Sequence, residues 1–260
     1  MIDNQGALAI ASNLLILGGT TEATALCNRL AALGVCGVLS LAGRVARPKR
    51  QSLPMRVGGF GGVPGLRDYL DAESITHVID ATHPFASQMS HNAATACAAA
   101  GVPMVALSRP PWRGQEGDNW QHVPDIEGAV HALEGPARRV MLAVGRMHLA
   151  AFAPNQQHFY LLRLVDPPDI ALPFPHAEVI VDRGPFTADS DAALMRAHKI
   201  DLVVSKNAGG TGAVAKIDAA RALGLPVIMI DRPAMPQRTE AESVEAVMAW
   251  LDAHGALLGV

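Results

Sequence analysis

The chain has 260 residues, of which 50% are hydrophobic and 17% are charged, and its formal net charge is -3. This composition is too apolar for a disordered chain and supplies a core for one large domain or two small ones. The weak negative charge excludes a broad basic surface for nucleic acid, so any anionic ligand must be held by local groups.

Three further features of the sequence bear on the localisation and the partners of the protein. The longest stretch without a charged residue, 81–108, contains Pro, Gly, Asn, Gln and His, so we do not predict a membrane span. The first residues form no basic segment typical of a signal peptide, and the three cysteines form no Cys-x-x-Cys pair. We therefore expect a cytoplasmic monomer with reduced thiols, no metal site, and no nucleic-acid or membrane partner.

The first part of the chain alternates strand and helix patterns. Apolar runs bounded by glycine or proline predict strands buried on both faces, at 13–17, 35–41, 76–80 and 103–108. Helical patterns separate them, one through Leu26, Leu30 and Leu33 and two more at 66–70 and 87–100.

The second part repeats this alternation. Strands are predicted at 139–144, 158–165, 178–182, 202–205 and 226–230, and helices at 125–134, 187–198, 213–223 and 240–254. Strands that alternate with helices predict an α/β fold with parallel sheets. A polar stretch rich in Pro and Gly at 109–118 ends the first unit, so we place the two domains at 1–120 and 121–260.

The loop after the first strand is the first candidate site, because ligands of open parallel sheets bind outside the carboxyl ends of the strands. It comprises Gly18, Gly19, Thr20, Thr21 and Glu22 and opens the first helix. Glycine lets the backbone approach a ligand, and a helix N-terminus favours a pyrophosphate. The alternative is a tight turn in which Thr20 or Thr21 caps the helix.

The end of the second strand bears on the choice of nucleotide. Folds that prefer NAD usually place an acid there to bind the ribose, whereas folds that prefer NADP place an arginine nearby. This chain has Ser40 followed by Gly43 and Arg44, with no acid between Glu22 and Asp68. We predict NADPH, with Ser40 and Arg44 at the 2′-phosphate; a solvated basic loop is the alternative.

A third loop follows the strand at 76–80. Ala81 and Thr82 are small enough for a nicotinamide ring to approach, and His83 could bind a carboxylate or donate a proton. The alternative is a histidine that only caps its own loop.

Two loops in the second part could bind anions. Lys206-Asn207-Ala208-Gly209-Gly210-Thr211-Gly212 offers backbone N–H groups, a lysine and a hydroxyl. It is not a P-loop, since the chain has no Gly-Lys pair. Gly145-Arg146 is another possible anion contact.

Several of these segments together resemble the precorrin-6A reductase family of cobalamin biosynthesis. In chain order they are LILGGTTEA (15–23), SLAGR (40–44), RVGGFGG (56–62), VIDATHPFA (78–86), SRPPW (108–112) and SKNAGGTGAVAKIDAARALGLPVIMI (205–230). The resemblance implies two Rossmann-like domains with a ligand cleft between them, and it allows elements near the crossover to exchange between sheets. It also implies NADPH-dependent reduction of precorrin-6A to precorrin-6B, by hydride transfer to the C18–C19 double bond of the macrocycle.

The loops and the resemblance together give the predicted site residues. For the cofactor NADPH they are Gly18, Gly19, Thr20, Thr21, Glu22, Ser40, Gly43, Arg44, Ala81 and Thr82. For the tetrapyrrole they are His83, Arg146, Lys206, Asn207, Gly209, Gly210, Thr211 and Gly212, with His83 also the candidate proton donor. Two alternatives stay open, a cobalt-precorrin-6A reductase of the anaerobic branch and a non-catalytic NADP-binding sensor.

Overall fold

The structure is a computed structural model that describes residues 12–43, 48–168 and 170–257. Arg44, predicted at the 2′-phosphate, lies outside the described residues. The chain divides into two units. The first unit comprises the residues up to Arg109 together with the segment from Ala234 onward, and the second unit is Pro110–Pro233.

Strands and helices alternate along most of the described chain. The strands are β1 (Asn13–Leu17), β2 (Cys36–Leu41), β3 (Met55–Val57), β4 (His77–Asp80), β5 (Met104–Leu107), β6 (Asn119–Val123), β7 (Arg139–Ala143), β8 (Phe159–Leu164), β9 (Ala177–Val181), β10 (Leu202–Lys206), β11 (Pro226–Ile230) and β12 (Thr239–Ala241). The α-helices are α1 (Thr21–Ala32), α2 (Gly62–Ala72), α3 (Ser87–Ala100), α4 (Ile126–Ala132), α5 (Ala188–Ala197), α6 (Ala215–Ala222) and α7 (Val244–Ala253), and a 3₁₀ helix covers Arg146–Phe152.

The first unit is a parallel sheet covered by helices on both faces. Its described strands form a six-stranded sheet in the order β12-β5-β4-β1-β2-β3. Along β1, Leu14 and Ile16 pack in the core with α1 and α7, while Leu15 and Leu17 pack with α2 and α3. An apolar strand without polar alternation therefore follows from helices on both faces, as the sequence predicts.

The strand order of the first unit locates a ligand site. Read from β3, the order is β3-β2-β1-β4-β5 with β12 in the sixth position, and it reverses between β1 and β4. This arrangement matches the 3-2-1-4-5-6 order of dinucleotide-binding folds. At that point Leu17 lies opposite both Ser40 of β2 and Asp80 of β4. The three loops predicted in the first part of the chain therefore leave one edge of this sheet.

The second unit has the same strand order. Its described strands form a six-stranded parallel sheet in the order β6-β11-β10-β7-β8-β9, which reverses between β7 and β10. Ala143 lies opposite Ser205. The two loops predicted in the second part, after residues 143 and 205, are therefore neighbours at one edge of this sheet.

The outer strand of each sheet comes from a distant part of the chain. β6 follows β5 in sequence but pairs with β11, and β12 follows β11 but pairs with β5. The predicted boundary of 1–120 and 121–260 thus differs from the structure, which assigns residues 110–120 to the second unit and 234–257 to the first. The last helix begins at Val244, not at 240, because Thr239–Ala241 is strand β12.

The predicted α/β class and the parallel sheets are confirmed. Strands β3, β6 and β12 were not predicted, because they are short or half exposed and carry no apolar run. Within the described parts of the chain, the helices are all too short or too polar to cross a bilayer.

Candidate active site

The glycines after β1 hold the backbone of the first loop close to its neighbours. The Gly18 N–H donates to the Ser40 carbonyl at 2.9 Å. A Cβ atom at Gly18 would lie 2.4 Å from Cδ1 of Leu39, and Gly19 has a φ of 126°, in a region that side chains rarely adopt. The turn therefore requires glycine, and it presents bare backbone where the strand order reverses.

Thr20 connects this loop to the loop after β4. Its hydroxyl accepts from the Ala23 N–H at 3.1 Å, which caps α1, and it donates to the Ala81 carbonyl at 2.9 Å. The capping role considered for Thr20 is therefore present in the structure. The same hydroxyl fixes the spacing between the N-terminus of α1 and the Ala81–Thr82 backbone.

Glu22 lies in the first turn of α1, and its carboxylate is held by two donors. Its Oε2 accepts from the Thr21 hydroxyl at 3.0 Å and from Nη1 of Arg109. Arg109 follows β5 and is not among the residues predicted for the site. Both side chains of the ion pair are sheltered, with 12% of Arg109 and 23% of Glu22 exposed.

The end of β2 carries a positive charge from β3. Arg56 donates from Nη1 to the Ser40 hydroxyl at 2.7 Å and to the Gly58 carbonyl at 3.0 Å. Its guanidinium lies 3.9 Å from the centre of the Phe60 ring. Gly43, two residues after the end of β2, has a φ of 75°. A cation therefore lies beside Ser40, the residue predicted at the 2′-phosphate.

A buried carboxylate shapes the loop after β4. Oδ1 of Asp80 accepts from the Thr82 N–H at 3.1 Å and from the Thr82 hydroxyl at 2.7 Å. Oδ2 accepts from the Ser90 hydroxyl at 2.6 Å and from Nη1 of Arg238 at 2.7 Å. Arg238 precedes β12, so the returning C-terminal segment supplies the counter-ion for this loop.

Burial, together with the Asp80 charge, raises the pKa of the nearby Cys97 thiol to about 12. The Cys97 thiol therefore stays protonated at neutral pH.

His83 is held in one tautomer by its own loop. Its Nδ1 accepts from the Phe85 N–H at 3.2 Å, and its carbonyl accepts from the Ala86 N–H at 2.7 Å. A neutral ring therefore carries its proton on Nε2. His83 lines a small pocket with Asp80, Thr82 and Arg238. The loop-capping role is thus present, and the geometry is also compatible with Nε2–H as a donor.

In the second unit, Asn207 and Arg232 fix the loop after β10. The side-chain oxygen of Asn207 accepts from the Trp112 N–H at 2.8 Å, and its NH₂ donates to the Trp112 carbonyl at 3.0 Å. Arg232 donates to the carbonyls of Asn207 and Ala208 at 3.0 and 3.1 Å, and the Trp112 indole donates to the Gly210 carbonyl at 2.8 Å. The carbonyls of Asn207, Ala208 and Gly210 are therefore bound to protein donors.

Two glycines of that loop adopt a left-handed backbone conformation. Gly209 and Gly210 both have positive φ, 67° and 66°, and a Cβ at Gly209 would lie 2.2 Å from the Pro110 carbonyl oxygen. Within the described residues, the backbone N–H groups of 209–212 have no protein acceptor. Successive N–H groups in such a turn form a concavity suited to an anion. Lys206 begins this loop and Thr211 lies within it.

The neighbouring loop after β7 opens differently from the first loop of the chain. Gly145, with a φ of 80°, leads into the 3₁₀ helix at Arg146, and Arg146 is exposed. Leu149 and Phe152, three residues apart, are the buried residues of this helix, as expected of three residues per turn. Arg146 thus lies beside the Lys206–Gly212 loop without a long helix behind it.

The chain matches a known protein family over most of its length. The family model described as "Precorrin-6x reductase CbiJ/CobK" matches residues 13–252. The chain belongs to this family. It is therefore a reductase of the precorrin-6x class, and the resemblance inferred from the loop motifs is confirmed.

Individual members of the family cover nearly the whole chain. The precorrin-6A reductase of Rhodobacter capsulatus is 56% identical over 94% of this chain and 98% of its own length. A solved structure titled "CobK precorrin-6A reductase" has a TM-score of 0.93 at 56% identity and covers 96% of this chain and 100% of its own. The cobalt-precorrin-6A reductase of Salmonella typhimurium is 30% identical, over 92% of this chain and 94% of its own length.

The reductase also carries residues that the motifs did not predict for the site. Arg109, Asp80 and Arg238 all contact the loops of the first unit, and Trp112 and Arg232 fix the loop of the second. Asp80 and Arg109 lie at the carboxyl ends of predicted strands, a position that could have drawn attention to them. Nothing in the sequence pattern links Arg238 to Asp80, which lies 158 residues earlier.

Proposed function

We propose that this reductase converts precorrin-6A to precorrin-6B in cobalamin biosynthesis, with NADPH as the hydride donor, and that it acts as a cytoplasmic monomer. The observation that carries the proposal is the glycine turn at Gly18, which joins β1 to a full capped helix where the sheet order reverses. That arrangement is the one in which α/β sheets bind dinucleotides. Family membership supplies the reaction class.

The nucleotide is proposed to lie across the carboxyl edge of the first sheet. A Cβ at Gly19 would project into open space at the start of α1, where the φ of 126° favours bare backbone, so the residues present fit a pyrophosphate. The pyrophosphate would lie on the first turn of α1, and the nicotinamide would lie against Ala81 and Thr82. The 2′-phosphate would bind Ser40 and Arg44, with Arg56 beside Ser40 as a further cation. The proposed cofactor residues are Gly18, Gly19, Thr20, Thr21, Glu22, Ser40, Gly43, Arg44, Ala81 and Thr82.

The tetrapyrrole is proposed to bind at the carboxyl edge of the second sheet. Its acetate and propionate groups need concentrated donors, and the N–H groups of Gly209–Gly212 with Lys206 and Arg146 supply them. Its ring system needs an apolar surface. Three exposed apolar side chains follow or end neighbouring strands at this edge, with Met147 65%, Val165 45% and Val181 50% exposed. Exposed apolar groups together are typical of a binding surface.

Different residues of the chain would position the cofactor and donate the proton in the reduction. When bound, NADPH supplies a hydride to one carbon of the C18–C19 double bond, and a proton must reach the other carbon. The Ala81–Thr82 backbone, fixed by Thr20 and Asp80, would hold the nicotinamide face in place. His83, with its proton on Nε2, is the proposed proton donor.

The His83 assignment has its own test. With chemistry rate-limiting, His83→Asn should lower kcat and remove the limb of the pH–rate profile that reports the donor. His91→Asn is the matched control, because His91 is an exposed residue of α3. An unaltered profile in His83→Asn would assign the proton to water or to a substrate carboxylic acid.

We assign the metal-free substrate rather than the cobalt form because of the sequence identities to the relatives. The relative named for precorrin-6A is 56% identical, whereas the relative named for cobalt-precorrin-6A is 30% identical. The two substrates share the ring and its carboxylates, so the proposed contacts serve either one.

The decisive experiment follows the cofactor and the pigment together. Purified protein is mixed with precorrin-6A and either NADPH or NADH, and the NADPH absorbance and the tetrapyrrole bands are recorded. We expect NADPH oxidation matched by a two-electron change in the pigment, with little reaction from NADH. Arg44→Ala should reduce that preference. NADPH binding without turnover of either precorrin-6A or its cobalt form would instead indicate the sensor function.

A further inference from the structure

The proposed pyrophosphate loop contains a charge conflict. Glu22 is the second residue of α1 and lies in the first turn, where the helix presents its positive end. A carboxylate there stabilises the helix of the free protein. A bound pyrophosphate would bring two further negative charges to the same turn, and like charges at short range repel.

Arg109 is placed to resolve this conflict. Its Nη1 donates to Oε2 of Glu22, the same oxygen that accepts from the Thr21 hydroxyl. The pair is largely sheltered from water, so its interaction is weakly screened. The backbone beside Arg109 is anchored too, because the Ser108 N–H donates to the Ala241 carbonyl of β12 at 2.9 Å.

We propose that Arg109 is a positioning residue of the dinucleotide site, which acts by neutralising Glu22 and fixing its carboxylate. The first turn of α1 then accepts pyrophosphate without a net negative neighbour. This inference rests on the proposed function, because it requires that NADPH bind the first unit. It assigns to SRPPW, at 108–112, a role that its position outside the glycine loop does not suggest.

The test is a double-mutant cycle read as the Kd of NADPH by fluorescence titration. Arg109→Met should weaken NADPH about tenfold or more, because it leaves Glu22 uncompensated. Glu22→Gln removes the charge that repels the pyrophosphate, so it should tighten NADPH binding. In the double variant the Kd of NADPH should return to within about threefold of the wild-type value, since the effects of the two substitutions are coupled. Arg109→Lys, which keeps the charge, should restore most of the affinity.

Two alternatives predict different cycles. A direct contact between Arg109 and phosphate predicts the same loss from Arg109→Met whether residue 22 is Glu or Gln, and that result would overturn the proposal. A purely structural pair predicts that Arg109→Met lowers the thermal stability while the Kd of NADPH stays as in wild type, which would also overturn it. Arg67→Met is the matched control, because Arg67 pairs with Asp68 at 4.0 Å on the exposed face of α2.

A second ligand shows which part of NADPH Arg109 affects, and it distinguishes a failure of this inference from a failure of the proposed NADPH site. Adenosine 2′-monophosphate carries the 2′-phosphate but no pyrophosphate, so Arg109→Met should leave its Kd unchanged. An equal loss for both ligands would contradict a role at the pyrophosphate. If the wild-type protein binds neither ligand, the proposed NADPH site itself fails, and the inference fails with it. If wild type binds NADPH and the cycle shows no coupling, only the inference fails.

Discussion

The two units have the same strand order but differ in the segment that leaves one strand at the reversal of that order, β1 in the first unit and β7 in the second. In the first unit, β1 leads through Gly18 and Gly19 into α1, a helix of 12 residues capped by Thr20. In the second unit, β7 leads through Gly145 into a 3₁₀ helix of 7 residues with no side-chain cap. Only the first arrangement gives a long helix whose N-terminus meets the sheet edge, so the nucleotide is assigned there.

The strands that pair with β1 and β7 on the other side, β2 and β8, also end differently. β2 ends near Ser40, which accepts from Arg56, whereas β8 is followed by Asp166, which pairs with Arg183 at 2.6 Å. An acid at the end of this strand disfavours a 2′-phosphate. One sheet architecture thus supports two binding tasks, and the loops rather than the strands decide which task each unit performs.

The largest effect is expected where the C-terminal segment supports the first unit. Arg238→Met removes the partner of Asp80 in a pair whose side chains are 7% and 1% exposed. Leaving that carboxylate buried and unpaired should lower the free energy of unfolding by about 3–5 kcal/mol, measured by urea denaturation. The exposed pair of Arg67 and Asp68 is the control, and Arg67→Met should change little. An equally small loss for Arg238→Met would contradict the assigned role.

The next largest effect is expected for Gly209→Ala in the Lys206–Gly212 loop of the second unit. The new Cβ would meet the Pro110 carbonyl oxygen at 2.2 Å and Nη2 of Arg232 at 2.3 Å, at a positive φ. We expect a loss of about 1–3 kcal/mol in stability and a raised KM for the tetrapyrrole, measured by urea denaturation and steady-state kinetics. NADPH affinity should not change. Gly59→Ala is the control, because a Cβ there meets open space.

The outcome for Gly209→Ala separates the two units. A matching loss of NADPH affinity would assign the Lys206–Gly212 loop to the cofactor and would reverse the proposed division of tasks.

A smaller effect is expected at the link between the two loops of the first unit. Thr20→Val removes both the α1 cap and the hydrogen bond to the Ala81 carbonyl. We expect a stability loss of about 0.5–2 kcal/mol and weaker NADPH binding, measured by urea denaturation and fluorescence titration. Thr20→Ser keeps the hydroxyl and should restore both. A failure of serine to restore binding would mean that the methyl group, not the hydroxyl, supports the site.

The smallest effect is a pH dependence confined to the first unit. Burial lowers the pKa of His77 below its usual 6.5, although its bond to the His254 carbonyl partly offsets this. Below about pH 6.5 the unfolded chain then binds the proton more readily, so stability falls as the pH drops through that range. His77→Gln should flatten this slope in urea denaturation at several pH values. An unchanged slope would mean that other groups cause it.

The sequence predicted the central elements well because they are apolar and regular. The bounds of β1, α3 and β11 agree with the predicted 13–17, 87–100 and 226–230. Strand β6 was missed because it is polar and half exposed, and β12 because it has three residues. Their pairing with distant strands depends on long-range contacts that no local pattern records.

The candidate site was also predicted only in part, because only some of its features are local in sequence. Glycine turns at strand ends are local signals, and the structure places Gly18–Gly19 and Gly209–Gly210 where the two sheets reverse their order. The residues that hold those turns, such as Arg238 and Trp112, come from remote segments and have no spacing to reveal them.

The division of tasks between the units is tested most directly by hydrogen–deuterium exchange with each ligand added alone. NADPH should protect the amides of 18–23 and 81–83 in the first unit, and precorrin-6A should protect those of 145–147 and 207–213 in the second. Protection of 207–213 by NADPH, with 18–23 unaffected, would contradict this division of tasks.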